Sequence, residues 1–251
     1  MKVWLLDTGS IVIDHAQLMW NIGGGTAVRI PSYGVLIEHD DSLFLFDTGF
    51  DLEHTSRVLP FELPEQTDEQ TIPAQLEACG FTVKDVGTLV NSHLHFDHAG
   101  GNRHFADTGV RNVLHAREIA QARNHEPFEF FGYSDRTWDY DGASLVPVTG
   151  DVELAKGLWL YETPGHTIGH YSLLVAPDAG TKHLLFPFDV VATAEALDKG
   201  VQMGFHVDPV AGVRSIARVK TLAAEHDAEV CFSHDMDAWQ TYKHAPDFYE
   251  L

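Results

Sequence analysis

The chain has 251 residues, 44% of them hydrophobic and 11% aromatic, which is typical of a globular protein with a substantial core. Its 37 acidic and 16 basic residues leave a formal net charge of −21, which argues against nucleic acid and anionic membranes as partners. No stretch approaches the roughly twenty apolar residues that span a bilayer.

The cysteines and the N-terminus favour a cytoplasmic protein. Cys79 and Cys231 are far apart and have no neighbour at metal-ligand spacing, which is typical of reduced, packed thiols. The first apolar run is interrupted at Asp7, too early for a secretory signal. No linker rich in proline, glycine or serine divides the chain, so we expect one domain over residues 1–251.

Strands paired in meanders and then a helix are predicted twice over, once in each half of the chain. In the first half, apolar runs predict strands at residues 2–6, 33–38, 43–47 and 87–92. A helix is predicted over residues 72–79, with Gly80 placed to end it. In the second half, strands are predicted at residues 158–162, 171–175, 183–188 and 229–232.

The longest predicted helix covers residues 209–225, with Asp208 as its N-cap and Pro209 at its first position. Its predicted apolar stripe comprises Val213, Ile216, Val219 and Leu222. Two mixed sheets packed face to face, with helices outside, accommodate this order of elements. The predicted class is therefore α/β.

Two segments are predicted to be loops. Residues 14–26 include Trp20, and residues 125–140 contain six aromatic residues, among them Tyr133. Aromatic side chains in a loop either line a ligand pocket or attach the loop to the core, and the sequence leaves both interpretations open.

The segment His93-Leu94-His95-Phe96-Asp97-His98 places four candidate metal ligands in six residues, directly after a predicted strand. Because strand side chains alternate, His93 and His95 are expected to share one face, with Asp97 and His98 folding back over the same volume. Imidazole and carboxylate suit Zn²⁺ and related divalent ions. Four such ligands exceed what one ion needs, so the segment indicates two ions.

Three further polar residues stand where apolar strands stop. His166 follows the predicted strand 158–162, Asp189 ends the run 184–188, and His234 follows the last predicted strand. An aspartate buried at such a position needs a charge partner, which a metal ion supplies. We therefore expect these strand ends to converge on one site.

With these residues the chain resembles the metallo-β-lactamase superfamily, from Leu45-Phe46-Asp47-Thr48-Gly49 onwards. The resemblance implies an αββα sandwich with a dinuclear metal site at one edge. It implies one ion held by His93, His95 and His166, a second held by Asp97, His98 and His234, and Asp189 bridging both.

Asp47 and His170 are two further polar residues that are not assigned as metal ligands. Asp47 is either a buried residue that orients a ligand or a turn aspartate before Gly49. His170 is interpreted as a packed histidine near the ligands rather than a ligand, because Gly169 disfavours helical geometry between it and His166.

Within the superfamily, residues 5–10 and 233–237 are similar to lactonases that open N-acyl homoserine lactones. Residues 132–135 and 205–213 are similar to 4-pyridoxolactonase. One departure concerns Ala192, which stands where the quorum-quenching lactonases carry a tyrosine that polarises the substrate carbonyl. Tyr133 and His206 are candidate substitutes, and Trp20 is a further candidate substrate contact.

The resemblance implies hydrolysis of a lactone, an N-acyl homoserine lactone or a pyridoxolactone-like compound. Two divalent metal ions, taken to be Zn²⁺, would share the attacking hydroxide. Asp97 would act as general acid towards the leaving alkoxide. The expected partner is the small-molecule lactone, with no nucleic acid or membrane partner and with a homodimer left open.

Two alternatives stay open. A glyoxalase II-like thioesterase shares the His-x-His-x-Asp-His motif, although its C-terminal helical region with basic groups is not evident here. A non-catalytic metal-binding scaffold would keep the same ligands without turnover. Assays with lactones, thioesters and β-lactams separate these functions.

Overall fold

The computed structural model describes residues 1–177 and 182–251. The strands in these residues are β1 (Lys2–Asp14), β2 (Ala27–His39), β3 (Ser42–Phe46), β4 (Thr88–Val90), β5 (Arg111–His115), β6 (Leu145–Val148), β7 (Val152–Ala155), β8 (Leu158–Glu162), β9 (Tyr171–Val175), β10 (His183–Phe186), β11 (Ala228–Val230) and β12 (Tyr249–Glu250). The α-helices are α1 (His15–Leu18), α2 (Leu52–Val58), α3 (Ile72–Ala78), α4 (Phe96–Ala99), α5 (Ala116–Arg123), α6 (Asp135–Trp138), α7 (Ala194–Lys199), α8 (Pro209–His226) and α9 (Met236–Trp239).

The strands form two mixed sheets. The first has seven strands in the order β12-β1-β2-β3-β4-β5-β6, and the second has five in the order β11-β10-β9-β8-β7. In the first sheet the β3–β4, β4–β5 and β5–β6 pairs are parallel, and the β12–β1, β1–β2 and β2–β3 pairs are antiparallel. In the second sheet only β10 and β11 are parallel among the described pairs.

The first sheet is covered on both faces, as the alternation along β1 shows. Val3 and Leu5 pack into the apolar cluster between the two sheets. Their neighbour Trp4 packs on the other face, in a cluster with Ile72 and Leu76 of α3. Successive strand residues point to opposite faces, so each face of β1 contributes to a separate part of the core.

The second sheet is covered in the same way. Leu173 of β9 packs into the cluster between the sheets, whereas the adjacent Leu174 packs with Ile216, Val219 and Leu222 of α8. The layers are therefore α3, the first sheet, the second sheet and α8. This αββα sandwich is the predicted fold.

The N-terminus of α8 agrees with the prediction, but one residue of its stripe does not. The Asp208 side chain accepts hydrogen bonds from the backbone N–H groups of Val210 and Ala211, and Pro209 is the first helical residue. Val213 was expected to be buried and is 54% exposed. A spacing of three residues rotates by about 60° per step around a helix, so the stripe drifts and Val213 leaves the buried face.

Several elements differ from the sequence-based expectation. β1 extends to Asp14 through an irregularity between Asp7 and Ser10, where a strand ending at residue 6 was expected. Within the predicted loops, His15–Leu18 and Asp135–Trp138 are short helices. The strands β5, β6, β7 and β12 were not predicted. No helix in the described ranges is long and apolar enough to cross a membrane.

Candidate metal centre

The histidine-rich segment lies in the loop that follows β4. The strand ends at Val90, so His93 and His95 lie in a loop, whereas strand geometry was expected for them. Their rings are nevertheless close together, with centroids 4.5 Å apart. Asp97 and His98 follow in the four-residue helix α4. The loop is anchored by the backbone N–H of Phe96, which donates to the carbonyl of Gly132 at 2.9 Å.

One group of candidate ligands consists of His93, His95 and His166. All three are buried, and one ligand atom from each lies within 4.8 Å of the others. Nδ1 of His95 and Nε2 of His166 face each other at 2.9 Å. Nε2 of His93 is buried and has no hydrogen-bond partner in the described residues.

A second group consists of Asp97, His98, Asp189 and His234, again with ligand atoms within 4.8 Å of one another. Oδ1 of Asp189 lies 3.1 Å from Nε2 of His98 and 3.1 Å from Nε2 of His234. Its other oxygen, Oδ2, lies 3.5 Å from Nε2 of His166. The Asp189 carboxylate therefore belongs to the second group and also approaches His166 of the first.

In four of the five candidate ligand histidines, Nδ1 forms a hydrogen bond with an oxygen atom outside the two groups. The acceptors are Asp47 Oδ2 for His98 at 2.8 Å, Pro31 O for His234 at 2.9 Å, Phe205 O for His166 at 2.7 Å and Ser92 Oγ for His93 at 3.0 Å. A proton on Nδ1 leaves the Nε2 lone pair free to bind a metal ion, and such outer contacts are typical of metal-binding histidines.

Asp47 organises the base of this centre. Its side chain has no exposed surface and accepts hydrogen bonds from the backbone N–H of Ser92 at 2.8 Å and from the Ser92 hydroxyl at 2.6 Å. The same carboxylate contacts His98. Of the two interpretations of Asp47, the structure supports the buried residue that orients a ligand.

The ionisation of His93, His95 and Asp189 suits a cation. Burial, and after it the neighbouring imidazoles, holds the pKa values of His93 and His95 well below the usual histidine value. Burial alone would raise the pKa of Asp189, but His234 and His98 outweigh it and hold that pKa well below its usual value. Metal ions bind neutral imidazoles and ionised carboxylates. At His98 and His234, burial lowers the pKa, but the Asp189 and Asp97 carboxylates outweigh it and raise both pKa values, so that metal binding would displace protons there.

These observations test whether divalent ions fit the site. Two nitrogen lone pairs facing each other at 2.9 Å, and a buried Nε2 without a partner, are unfavourable unless a cation or proton lies between such atoms. The donor set of imidazoles and carboxylates is the one that Zn²⁺ and similar ions accept. The residues present therefore fit divalent metal ions.

His170 lies beside the centre but outside both groups. Its Nδ1 lies 2.9 Å from the Thr163 hydroxyl, and its Nε2 accepts a hydrogen bond from the backbone N–H of Asp189 at 3.3 Å. Burial, and after it the neighbouring His166, lowers the pKa of His170 to about 3. The ring therefore stays neutral and positions Asp189.

A cavity of about 230 Å³, named here the inner chamber, opens on the two groups. Its walls are mainly apolar and include Ile11, Ile30, Phe131, Met203 and Phe205. Its polar wall contains members of both groups, namely His95, Asp97, His166, Asp189 and His234. A small, largely apolar substrate in this chamber would lie against the candidate ligands.

The three predicted substrate contacts lie in different places. The ring of Tyr133 packs against His95 with centroids 4.9 Å apart, and its hydroxyl donates to Glu118 at 3.1 Å. Trp20 is 43% exposed and stacks edge-on against His206, whose Nδ1 is hydrogen-bonded to Met203 O at 2.8 Å. None of the three is among the residues that line the inner chamber.

Comparison with known proteins identifies the family. The model of the metallo-β-lactamase superfamily matches residues 28–234. The chain belongs to this superfamily. The match spans β2 through the segment after β11, and so includes both groups of candidate ligands.

Individual members of the superfamily match almost the whole chain. The N-acyl homoserine lactonase AttM of Rhizobium radiobacter is 30% identical, with 99% of this chain and 98% of that protein covered. The N-acyl homoserine lactonase AiiA of Bacillus thuringiensis subsp. kurstaki is 27% identical, with 98% of each covered. These matches confirm the predicted superfamily and its lactonase branch.

A solved structure of the superfamily confirms the fold. It is an N-acyl homoserine lactone hydrolase with the product N-hexanoyl-L-homoserine bound at the catalytic metal centre. The TM-score is 0.88 at 25% sequence identity, and 99% of this chain and 98% of that chain are covered.

Two acidic residues near the site were missed by sequence reasoning. Glu118 is fully buried in the first turn of α5 and accepts hydrogen bonds from Leu94 N at 3.0 Å and Thr167 Oγ1 at 2.6 Å. Glu62 lines the inner chamber, and burial, together with the nearby Asp97 carboxylate, raises its pKa to about 8. Neither residue stands in a motif, so no sequence signal distinguishes it from a surface glutamate.

Proposed function

We propose that this protein is a metal-dependent hydrolase that opens a lactone, with N-acyl homoserine lactones as the substrate class. The observation that carries the proposal is the pair of ligand groups that meet at Asp189 at the base of an apolar chamber. The matched lactonases and the product named at a catalytic metal centre support the same activity.

The cofactors we propose are two divalent ions, and Zn²⁺ in particular. His93, His95 and His166 would hold one ion, Asp97, His98 and His234 the other, with Asp189 contributing to both. When bound, such ions supply Lewis acidity that polarises an ester carbonyl and acidifies water near neutral pH.

The chain itself orients the substrate and moves a proton. The apolar walls of the inner chamber exclude bulk water and favour a ring with its carbonyl turned to the polar wall. Asp97 lies on that wall, with Oδ2 3.6 Å from Nε2 of His234. A water molecule adds its oxygen to the ring carbonyl carbon, and the Asp97 carboxylate takes up the proton that the water loses. Asp97 can then deliver this proton to the ring oxygen as the C–O bond breaks, which yields the hydroxy acid.

An assay with defined substrates tests this function. The Zn²⁺-loaded protein is compared on N-hexanoyl homoserine lactone, S-lactoylglutathione and a β-lactam, with metal content determined in parallel. We expect two ions per chain and the highest kcat/KM on the lactone. A preference for the thioester would favour the glyoxalase II-like alternative, and stoichiometric metal without any turnover would favour a scaffold.

Matched histidine variants connect the activity to the site. We expect His93→Ala and His234→Ala to lose metal and turnover together. His226→Ala, in the last turn of α8, is expected to retain both. A cytoplasmic location and a homodimer stay predictions, which fractionation and light scattering can check.

A further inference from the structure

A second cavity continues from the inner chamber towards the surface. This cavity of about 730 Å³, named here the outer groove, is lined by Trp20, Asn21 and the glycines after α1, among others. The inner chamber and the outer groove have the following lining residues in common: Ile13, Gln17, Phe61, Glu62 and Phe205. A substrate longer than the inner chamber would pass these shared residues.

Glu62 is an unpartnered acidic group at this junction. It ends the short 3₁₀ turn Pro60–Glu62 after α2. Its Oε2 atom is buried and accepts no hydrogen bond from any residue in the described ranges. A buried carboxyl oxygen without a donor is unfavourable by itself, which indicates that a donor arrives with a ligand.

The surroundings of Glu62 narrow the identity of that ligand. Apart from the candidate metal ligands, Gln17 and Glu62 are the polar side chains among the described residues that line the inner chamber. The Oε1 atom of Gln17 accepts a hydrogen bond from the backbone N–H of Asp14 at 3.0 Å, which leaves the Gln17 amide group as a donor. The junction thus offers one acceptor and one donor between apolar walls.

We propose that Glu62 and Gln17 recognise a secondary amide, with Glu62 accepting its N–H and Gln17 donating to its carbonyl. The lactone ring would occupy the inner chamber, and an acyl tail would extend past Phe61 and Phe205 into the outer groove. The inference rests on the proposed function and makes Glu62 a specificity-determining residue. Ala192 has no hydroxyl to contact the substrate, and Glu62 would supply a polar contact from the junction instead.

Two substrates that differ only at the amide test the proposal. N-hexanoyl homoserine lactone carries the N–H and the carbonyl, whereas α-heptyl-γ-butyrolactone has methylene groups in their place. We expect the wild-type protein to prefer the amide substrate in kcat/KM by about tenfold or more, the combined effect of two hydrogen bonds to the amide, each worth roughly three- to tenfold. Glu62→Leu should bring the two kcat/KM values within about threefold of each other.

Two further variants make the result interpretable. Glu62→Gln retains an acceptor oxygen on an isosteric side chain and is expected to keep an intermediate preference. Glu65→Gln removes the charge of a carboxylate in the same segment that pairs with Arg29 and does not line the inner chamber. This variant should keep the wild-type preference.

The outcomes separate the two proposals. If the wild-type protein opens both lactones but Glu62→Leu leaves the preference unchanged, or lowers both kcat/KM values equally, the role of Glu62 is wrong. If the metal-loaded wild-type protein opens neither lactone, the proposed function itself is wrong.

Discussion

Nδ1 of His98 lies 2.8 Å from Oδ2 of Asp47, a carboxylate with no exposed surface. Asp47 follows β3 and His98 lies in α4, so this contact joins the first sheet to the histidine-rich segment. A carboxylate partner fixes the orientation of a ligand histidine and raises its basicity. The contact therefore couples the fold directly to the candidate metal centre.

Replacement of Asp47 tests this coupling. We expect Asp47→Asn to weaken metal binding about 10- to 100-fold, because His98 loses its charged partner. Competition with a chromophoric chelator measures the affinity. Asp40→Asn, at a side chain that is 90% exposed, is the matched control and should bind metal as the wild type does. Equal affinity in Asp47→Asn would contradict the proposed role.

The proton-transfer role of Asp97 predicts a loss of turnover. We expect Asp97→Asn at saturating Zn²⁺ to lower kcat by about 10²- to 10⁴-fold, the range typical of a lost general acid. Metal content is measured on the same sample by elemental analysis. Turnover close to that of the wild type, with both ions present, would refute the role.

Gly132 leaves space for the ring of His95. A Cβ atom at this position would lie 2.6 Å from Cδ2 and 2.8 Å from Nε2 of His95, so the ring would have to move. We expect Gly132→Ala to weaken metal binding at the group that contains His95. In the control variant Gly87→Ala, the added Cβ meets only Leu43 O at 3.5 Å, and metal titration should match the wild type.

Metal removal should destabilise the folded protein. Seven buried polar side chains form the two groups, and without ions their lone pairs and charges face one another. An ion at 100 times its Kd stabilises the native state by about 2.7 kcal/mol per site. We expect a chelator to lower the Tm of the wild type, measured by thermal unfolding. The Tm of a His93→Ala/His234→Ala variant should not respond to the chelator.

Glu118 is expected to stabilise the loops that carry the ligands. Its carboxylate accepts hydrogen bonds from Leu94 N, Thr167 Oγ1 and the Tyr133 hydroxyl. We expect Glu118→Gln to lower the free energy of unfolding by about 1–3 kcal/mol, because the amide group puts an NH₂ where a carboxyl oxygen accepts and leaves a buried donor without an acceptor. Urea unfolding measures the change. Arg117→Gln, at a side chain that is 53% exposed, should differ from the wild type by less than about 0.5 kcal/mol.

The sequence predicts the central elements well and the peripheral ones poorly. Leu158–Glu162 and Tyr171–Val175 have their predicted bounds, because short apolar runs between turn residues are typical of strands with at least one buried face. Arg111–His115 was missed, since its polar residues obscure the apolar pattern. One of these, Asn112, is buried and donates to Asn91 Oδ1 at 2.8 Å, a long-range contact that local pattern cannot reveal.

The sequence by itself predicted which side chains gather at the candidate metal centre. Their short spacing and their positions after apolar runs indicate that they converge, although His93 and His95 lie in a loop and not on a strand. Only the tertiary structure decided which residues line the inner chamber. Tyr133 is hydrogen-bonded to Glu118, and Glu62 comes to line the chamber above Asp97, because the packing of segments distant in sequence sets these contacts. Because Glu62 and Tyr133 belong to no sequence motif, their contacts can be known only from the folded structure.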